Sequence, residues 1–196
     1  INPENTYIEA NVQIGKDTII EPGVMLRGNT EIGDECIIGM NSSITNSKIG
    51  NFTEVKISTI IDSAVGENTT VGPYAYLRPN SNVGNHVKIG DFVEVKNANI
   101  GDYSKASHLS YIGDADVGKD VNIGCGVVFV NYDGKNKFRS VVEDGAFIGS
   151  NSNLDAAVHV KHKGYIATGS TITDDVPDGA LAIARQRQVV KEGWVA

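Results

Sequence analysis

The chain has 196 residues, 40% of them hydrophobic, and a formal net charge of -7. A buried core is affordable at this length, and an acidic balance without a Lys/Arg run excludes a binder of phosphate backbones. Two cysteines, Cys36 and Cys125, are too few for a disulfide framework, and neither a membrane span of ~20 apolar residues nor a secretory signal is present, so a cytoplasmic protein without nucleic-acid or membrane partners is expected.

From the amino end an aliphatic residue recurs at every sixth position: Ile8, Ile14, Ile20, Leu26, Ile32, Ile38 and Ile44. After a five-residue step the register runs from Ile49 to Val95, and again from Ile100 through Ala106, Ile112, Val117 and Ile123 to Phe129. Glycine follows the aliphatic residue directly at thirteen positions, among them Gly33, Gly90, Gly113 and Gly149, which neither a helical nor a two-residue period produces. The fold is therefore read as all-β, a parallel β-helix of hexapeptide repeats. Three hexads close one triangular coil, and coils pair at about 4.8 Å spacing. The ends and long faces of such a stack predict capping and self-association.

Residues 130–141, VNYDGKNKFRSV, exceed the register by about one hexad and are rich in turn formers, so they are predicted to project as a loop. The repeat resumes at Val142 and continues to Ile172. Residues 1–173 are assigned to the β-helix and 174–196, opened by Pro177 and Gly179, to a C-terminal tail. That tail serves either as a polar cap or, with Arg185, as part of a site.

The coil length is also a ruler. Arg78 follows Leu77 and Lys96 follows Val95 three hexads later, so the two cations are expected in one column on adjacent coils. Stacked cations either diverge into water or share an anion, and Lys137 in the loop favours the anion. A second column holds His108, Cys125, Ser150 and Thr168, each two residues after a core position. A groove of small residues above a histidine suits a long thin ligand.

The segments LRP at 77–79, FVEVK at 92–96, KASHLSYIGDA at 105–115, VNIGCG at 121–126, NYDGKNKF at 131–138, IGSN at 148–151 and LAIARQRQ with KEGW in the tail resemble one family. It is the acetyltransferase domain of the bifunctional bacterial N-acetylglucosamine-1-phosphate uridyltransferase/glucosamine-1-phosphate acetyltransferase. The resemblance covers essentially the whole chain. It implies a left-handed coil, a homotrimer, and acetyl transfer from acetyl-CoA to glucosamine 1-phosphate without a metal. His108 is implied as the general base. Arg78, Lys96, Tyr111, Asn122 and Lys137 are implied as sugar-phosphate ligands, and Cys125, Asn131, Tyr132, Ser150, Thr168 and Arg185 as contacts of the coenzyme. A crossing of Arg185 to a neighbouring subunit is favoured. The stretch 153–169 departs from the family pattern, with Asp155, Ala157, Lys161 and Thr168 at altered positions, which bears on coenzyme affinity and local coil geometry.

No nucleotide-binding βα unit lies within the chain, so uridylyl transfer and its magnesium are not assigned to it. The chain begins at Ile1, which is read as a fragment of a longer protein. Attack of an amine on a thioester needs a base that titrates near neutrality and donors for the oxyanion, and direct transfer is preferred over acetylation of Cys125. The alternatives are a hexapeptide carbonic anhydrase holding zinc through His159 and His162, and a structural β-helix without catalysis.

Overall fold

A computed structural model describes residues 2–194. The ends of the two assigned segments, Ile1, Val195 and Ala196, lie outside the described residues. Among the described residues the chain winds as a left-handed parallel solenoid whose three sides are sheets of ten, nine and ten strands, with each strand bonded to the one three positions on except at the end of the third sheet, where the last strand is two positions on. Strands are two to four residues long, because the chain turns a corner within every hexad.

In the first sheet Ile8, Leu26, Ile44, Ile60, Leu77, Val95 and Ile112 stand in register one above another. From Leu26 onward these side chains are fully buried. Each such burial stabilises the fold by roughly 1.5–3 kcal/mol relative to exposure. Corners require a left-handed backbone, and asparagine, which tolerates it, occupies Asn41, Asn68, Asn80, Asn97 and Asn151. Buried hydroxyls at other corners bind across coils: Thr53 Oγ1 donates to the Gly66 carbonyl at 2.7 Å and Thr69 Oγ1 to that of Gly84 at 2.9 Å. Among the described residues no buried side-chain polar atom is left without a partner.

The projecting loop occupies 130–139, since Ser140–Val142 is already a strand of the second sheet. The tail does not leave the coil at residue 174. Val176 bridges Val160, and Leu181–Ala182 adds a final strand to the third sheet against Tyr165–Ile166. The stretch 153–169 keeps coil geometry: Val160 and Ile166 are fully buried, and Ala157 and Lys163 take the left-handed corner conformation. Among the described residues no helix is long and apolar enough to cross a membrane.

Candidate active site

The first sheet carries the cations at its far edge. Leu77 pairs with Val95, and the Arg78 N–H donates to the Val95 carbonyl at 2.8 Å, which puts Arg78 one level from Lys96. Arg78 Nη1 meets Glu94 Oε1 at 2.8 Å. Lys96 Nζ lies 3.9 Å from Oδ2 of the buried Asp114. Asn97 Nδ2 donates to Asp114 Oδ1 at 2.5 Å, and Asn131 Nδ2 donates to Oδ2. Burial pushes the Asp114 carboxyl up, but these two amides and the charges of Lys96 and Lys137 outweigh it and hold it below the usual carboxylate range.

Lys137 is presented to the same corner by the loop. Asp133 Oδ1 accepts from the N–H groups of Lys135 and Asn136 at 2.7 and 2.6 Å, and Tyr132 bridges Lys137 across the turn. Lys137 faces Lys96, and that neighbouring ammonium, first by direct contact and then by charge, holds Lys137 below the ordinary lysine range. Three cations against Glu94 and Asp114 leave positive charge for an anion. Tyr111 turns toward this corner: any side chain at Gly113, directly above Lys96, would overlap the Tyr111 hydroxyl. Asn131 Nδ2 lies 3.4 Å from Tyr111 Oη.

His108 stands at the opposite edge, where the third sheet turns into the first. Its Nδ1 is 2.6 Å from Asp91 Oδ1, one coil below in register. The coils approach closely here because Gly90 has no side chain; a Cβ would overlap the Ser107 carbonyl oxygen. The hydrogen bond to His108 is the first cause that holds the Asp91 carboxyl below the usual range. The histidine is 57% exposed, and its Nε2 carries no hydrogen bond among the described residues.

The predicted second column is present. The registers Ala106↔Ile123, Ile123↔Ile148 and Ile148↔Ile166 carry His108 to Cys125, Ser150 and Thr168. Cys125 and Thr168 are exposed and Ser150 is half-buried. Arg185 ends the column on its own chain: Ala184 N–H donates to Ser170 Oγ at 3.1 Å, and Arg185 Cδ lies 4.0 Å from where a Cβ on Gly169 would sit. Within one chain, the tail strand Leu181–Ala182 brings Arg185 to this level of the column. A cleft of ≈ 390 Å³ on the first-sheet face is lined by Glu94, Leu109, Ser110, Tyr111 and Val128, among others; Leu109 follows His108, and Glu94 is the ion-pair partner of Arg78.

One expected sugar-phosphate ligand sits apart from the cations. Asn122 lies on the third sheet between Lys105 and Phe147, away from Arg78, Lys96 and Tyr111 on the first. The Tyr132 hydroxyl is taken by the Gly134 carbonyl at 2.7 Å within the loop. His159 and His162 do not converge: His159 Nε2 is 2.6 Å from Glu143 Oε1, and His162 contributes only its N–H to Glu143 Oε2 at 2.9 Å. No group of three metal-binding side chains occurs among the described residues.

Asp91, Glu94 and Asp114 were not among the sequence candidates, although each had a signal. Asp91 is one coil before His108, and Glu94 and Asp114 lie within the motifs FVEVK and KASHLSYIGDA.

Residues 11–46 and 62–97 match the model of the bacterial transferase hexapeptide (six repeats). The whole chain is 78% identical over 195 residues to the bifunctional protein GlmU of Clostridioides difficile (strain 630), of which it spans 42%. It is 61% identical over 196 residues to GlmU of Alkaliphilus metalliredigens (strain QYMF), of which it spans 43%. The chain thus covers less than half the length of these relatives. Among solved structures, an Arabidopsis UDP-N-acetylglucosamine acyltransferase matches with a TM-score of 0.68 at 19% identity, over 93% of this chain and 70% of that one, which is a likeness of fold. Identity of this order over its full length, together with the hexapeptide match, makes the chain a counterpart of part of the GlmU proteins.

Proposed function

We propose that the chain is a glucosamine-1-phosphate N-acetyltransferase, which moves acetyl from acetyl-CoA to the sugar amine and yields N-acetylglucosamine 1-phosphate. One observation supports the reading: the His108–Asp91 pair stands where the third sheet turns into the first, Arg78 and Lys96 stand at the far edge of that first sheet, and a cleft lined by Glu94, Leu109 and Tyr111 lies on the face between them. A small molecule with an amine at one end and a phosphate at the other fits that polarity. The GlmU relatives support the same chemistry, and the product would feed synthesis of UDP-N-acetylglucosamine and of the cell envelope.

In the reaction, His108 Nε2 accepts a proton from the attacking amine, while the Asp91 carboxylate takes the Nδ1–H and fixes the tautomer. The nitrogen bonds to the thioester carbon, the C–S bond breaks, and the coenzyme leaves as the thiol with the proton returned. The oxyanion formed on the way is met by backbone N–H groups beside Cys125 or Ser150. The coenzyme arm lies along Cys125, Ser150 and Thr168. Four coil spacings, about 19 Å, separate the His108 level from the Arg185 level, where a coenzyme phosphate would sit. Asn131 and Tyr132 border the acetyl end. No step calls on a metal, and Cys125 acts as a wall of the groove.

Asn122 reaches sugar phosphate only on a neighbouring chain, so the site is assigned to a cytoplasmic homotrimer whose third-sheet face meets the next subunit's first sheet. The test is product identification. Incubation with acetyl-CoA and glucosamine 1-phosphate gives one free coenzyme thiol per N-acetylated sugar phosphate; thiol release without N-acetylation, or no release, refutes the reading.

A further inference from the structure

The loop brings Lys137 to the Lys96 corner, since Lys96 Nζ lies 3.9 Å from Asp114 Oδ2, Asn131 of the loop donates to the same carboxylate, and the Phe138 N–H donates to the Asn131 carbonyl at 3.0 Å; the turn bonds made by Asp133 do not reach the coil. Among the described residues, its amino-terminal arm is tied to the coil through Asn131, on Asp114 and Tyr111, and by the Val130 N–H to the Leu154 carbonyl at 2.8 Å. Its carboxyl-terminal arm is tied through Arg139. Arg139 Nε meets Asp116 Oδ2 at 2.6 Å, and Nη2 meets Asp116 Oδ1 at 2.6 Å. The same guanidinium donates to the Ala115 carbonyl at 2.9 Å and, from Nη1, to the Asn97 carbonyl at 2.8 Å. One side chain thus spans two coils, those of Asn97 and of Ala115–Asp116.

Asp116 is itself fixed. Asn99 Nδ2 donates to its Oδ1 at 2.6 Å, and Asn82 Nδ2 donates to Asn99 Oδ1 at 2.9 Å, a ladder up the second sheet that ends on Arg139. The guanidinium is the planar fork that such a carboxylate matches with two bonds, which a lysine ammonium does not. Lys137 is two residues from this anchor, and across the turn it is paired with Tyr132 while the Phe138 N–H donates to the Asn131 carbonyl at 3.0 Å. The placement of Lys137 therefore depends on both arms, and Arg139 fixes the carboxyl-terminal one.

We propose that Arg139 is a positioning residue: it clamps the 130–139 loop across two coils on the second-sheet side, and so sets Lys137 against Lys96 on the first-sheet side to complete the anion site. Arg139 itself touches no substrate. This rests on the reading that Lys137 serves the sugar phosphate.

The test compares wild type with Arg139→Ala and Arg139→Lys in the intact protein, by steady-state kinetics and by hydrogen exchange of the loop amides. For Arg139→Ala, the expected result is a KM for glucosamine 1-phosphate raised roughly tenfold, the scale of one charge-assisted contact. The KM for acetyl-CoA and the saturating turnover stay near wild type, and amides 131–138 exchange faster while coil amides keep their protection. Arg139→Lys recovers part of both effects. Unchanged loop exchange with an unchanged KM overturns the clamp, and loss of protection throughout the coil overturns it in favour of a general structural role. Faster loop exchange in Arg139→Ala supports the clamp even if wild type fails to acetylate the sugar phosphate; that failure defeats only the proposed function.

Discussion

His108 Nδ1 and Asp91 Oδ1 are 2.6 Å apart although the two residues lie on different coils, because Gly90 allows the chain at Ser107 to pass directly above it. The contact directs Nε2 outward, beside the cleft. His108→Ala is expected to lower turnover by roughly 10² to 10⁴ with little change in sugar-phosphate binding. Asp91→Ala leaves the base in place without its orienting partner, and its turnover should fall by roughly tenfold. A turnover equal to wild type in Asp91→Ala, measured at saturating substrates, removes Asp91 from the account.

Lys96→Ala is expected to raise the KM for glucosamine 1-phosphate much more than that for unphosphorylated glucosamine, since on the proposed reading Lys96, Arg78 one level away and Lys137 of the loop share the phosphate. Equal weakening for both acceptors means that the cluster is structural. Cys125→Ala should keep most of its turnover; an acetylated Cys125 trapped during the reaction would support the covalent route instead.

Phe129 is the largest of the fully buried side chains and closes the coil just before the loop. Phe129→Ala should cost roughly 3–5 kcal/mol of unfolding free energy, from lost burial and the cavity left behind. Urea denaturation of both proteins measures it, and a loss below about 1 kcal/mol would show that the coil collapses into the space.

Acid should loosen the loop's anchorage. Asp114 and Asp116 both sit below the usual carboxylate range in the fold: Asp114 because hydrogen bonds and cations outweigh its burial, Asp116 chiefly through Arg139. A depressed folded-state pKa means that the unfolded chain binds the proton first. The stabilisation is therefore complete above the unfolded value of about 3.9 and is lost as pH falls through the lower folded values. Stability followed by denaturant midpoint between about pH 5 and pH 2 should decline, and Asp116→Asn should decline less steeply. Equal slopes in the two proteins would contradict the assignment.

The coil and its two columns were legible because a six-residue period fixes both the core and the register, so Arg78 beside Lys96 and His108 in line with Cys125, Ser150 and Thr168 follow from counting. Asp91, Asp114 and Asp116 were passed over because counter-ions show no column of like residues; their roles come from what lies one coil away. Asn122 could have been placed by the same ruler, since it precedes Ile123 just as Lys105 precedes Ala106 on the third sheet. The strand Leu181–Ala182 was hidden by Pro177 and Gly179, which read as breakers yet serve as a corner: the Gly179 N–H donates to the His162 carbonyl at 2.9 Å.

The central claim is that one cleft takes an amine at the His108 edge and a phosphate at the Lys96–Lys137 edge. The rate of thiol release from acetyl-CoA, measured side by side with glucosamine 1-phosphate and with glucosamine as acceptors, tests it most directly. The account predicts a kcat/KM for the phosphorylated sugar higher by at least about a hundredfold, the scale of two charge-assisted contacts. Equal values for the two acceptors, or release that requires neither, would contradict it.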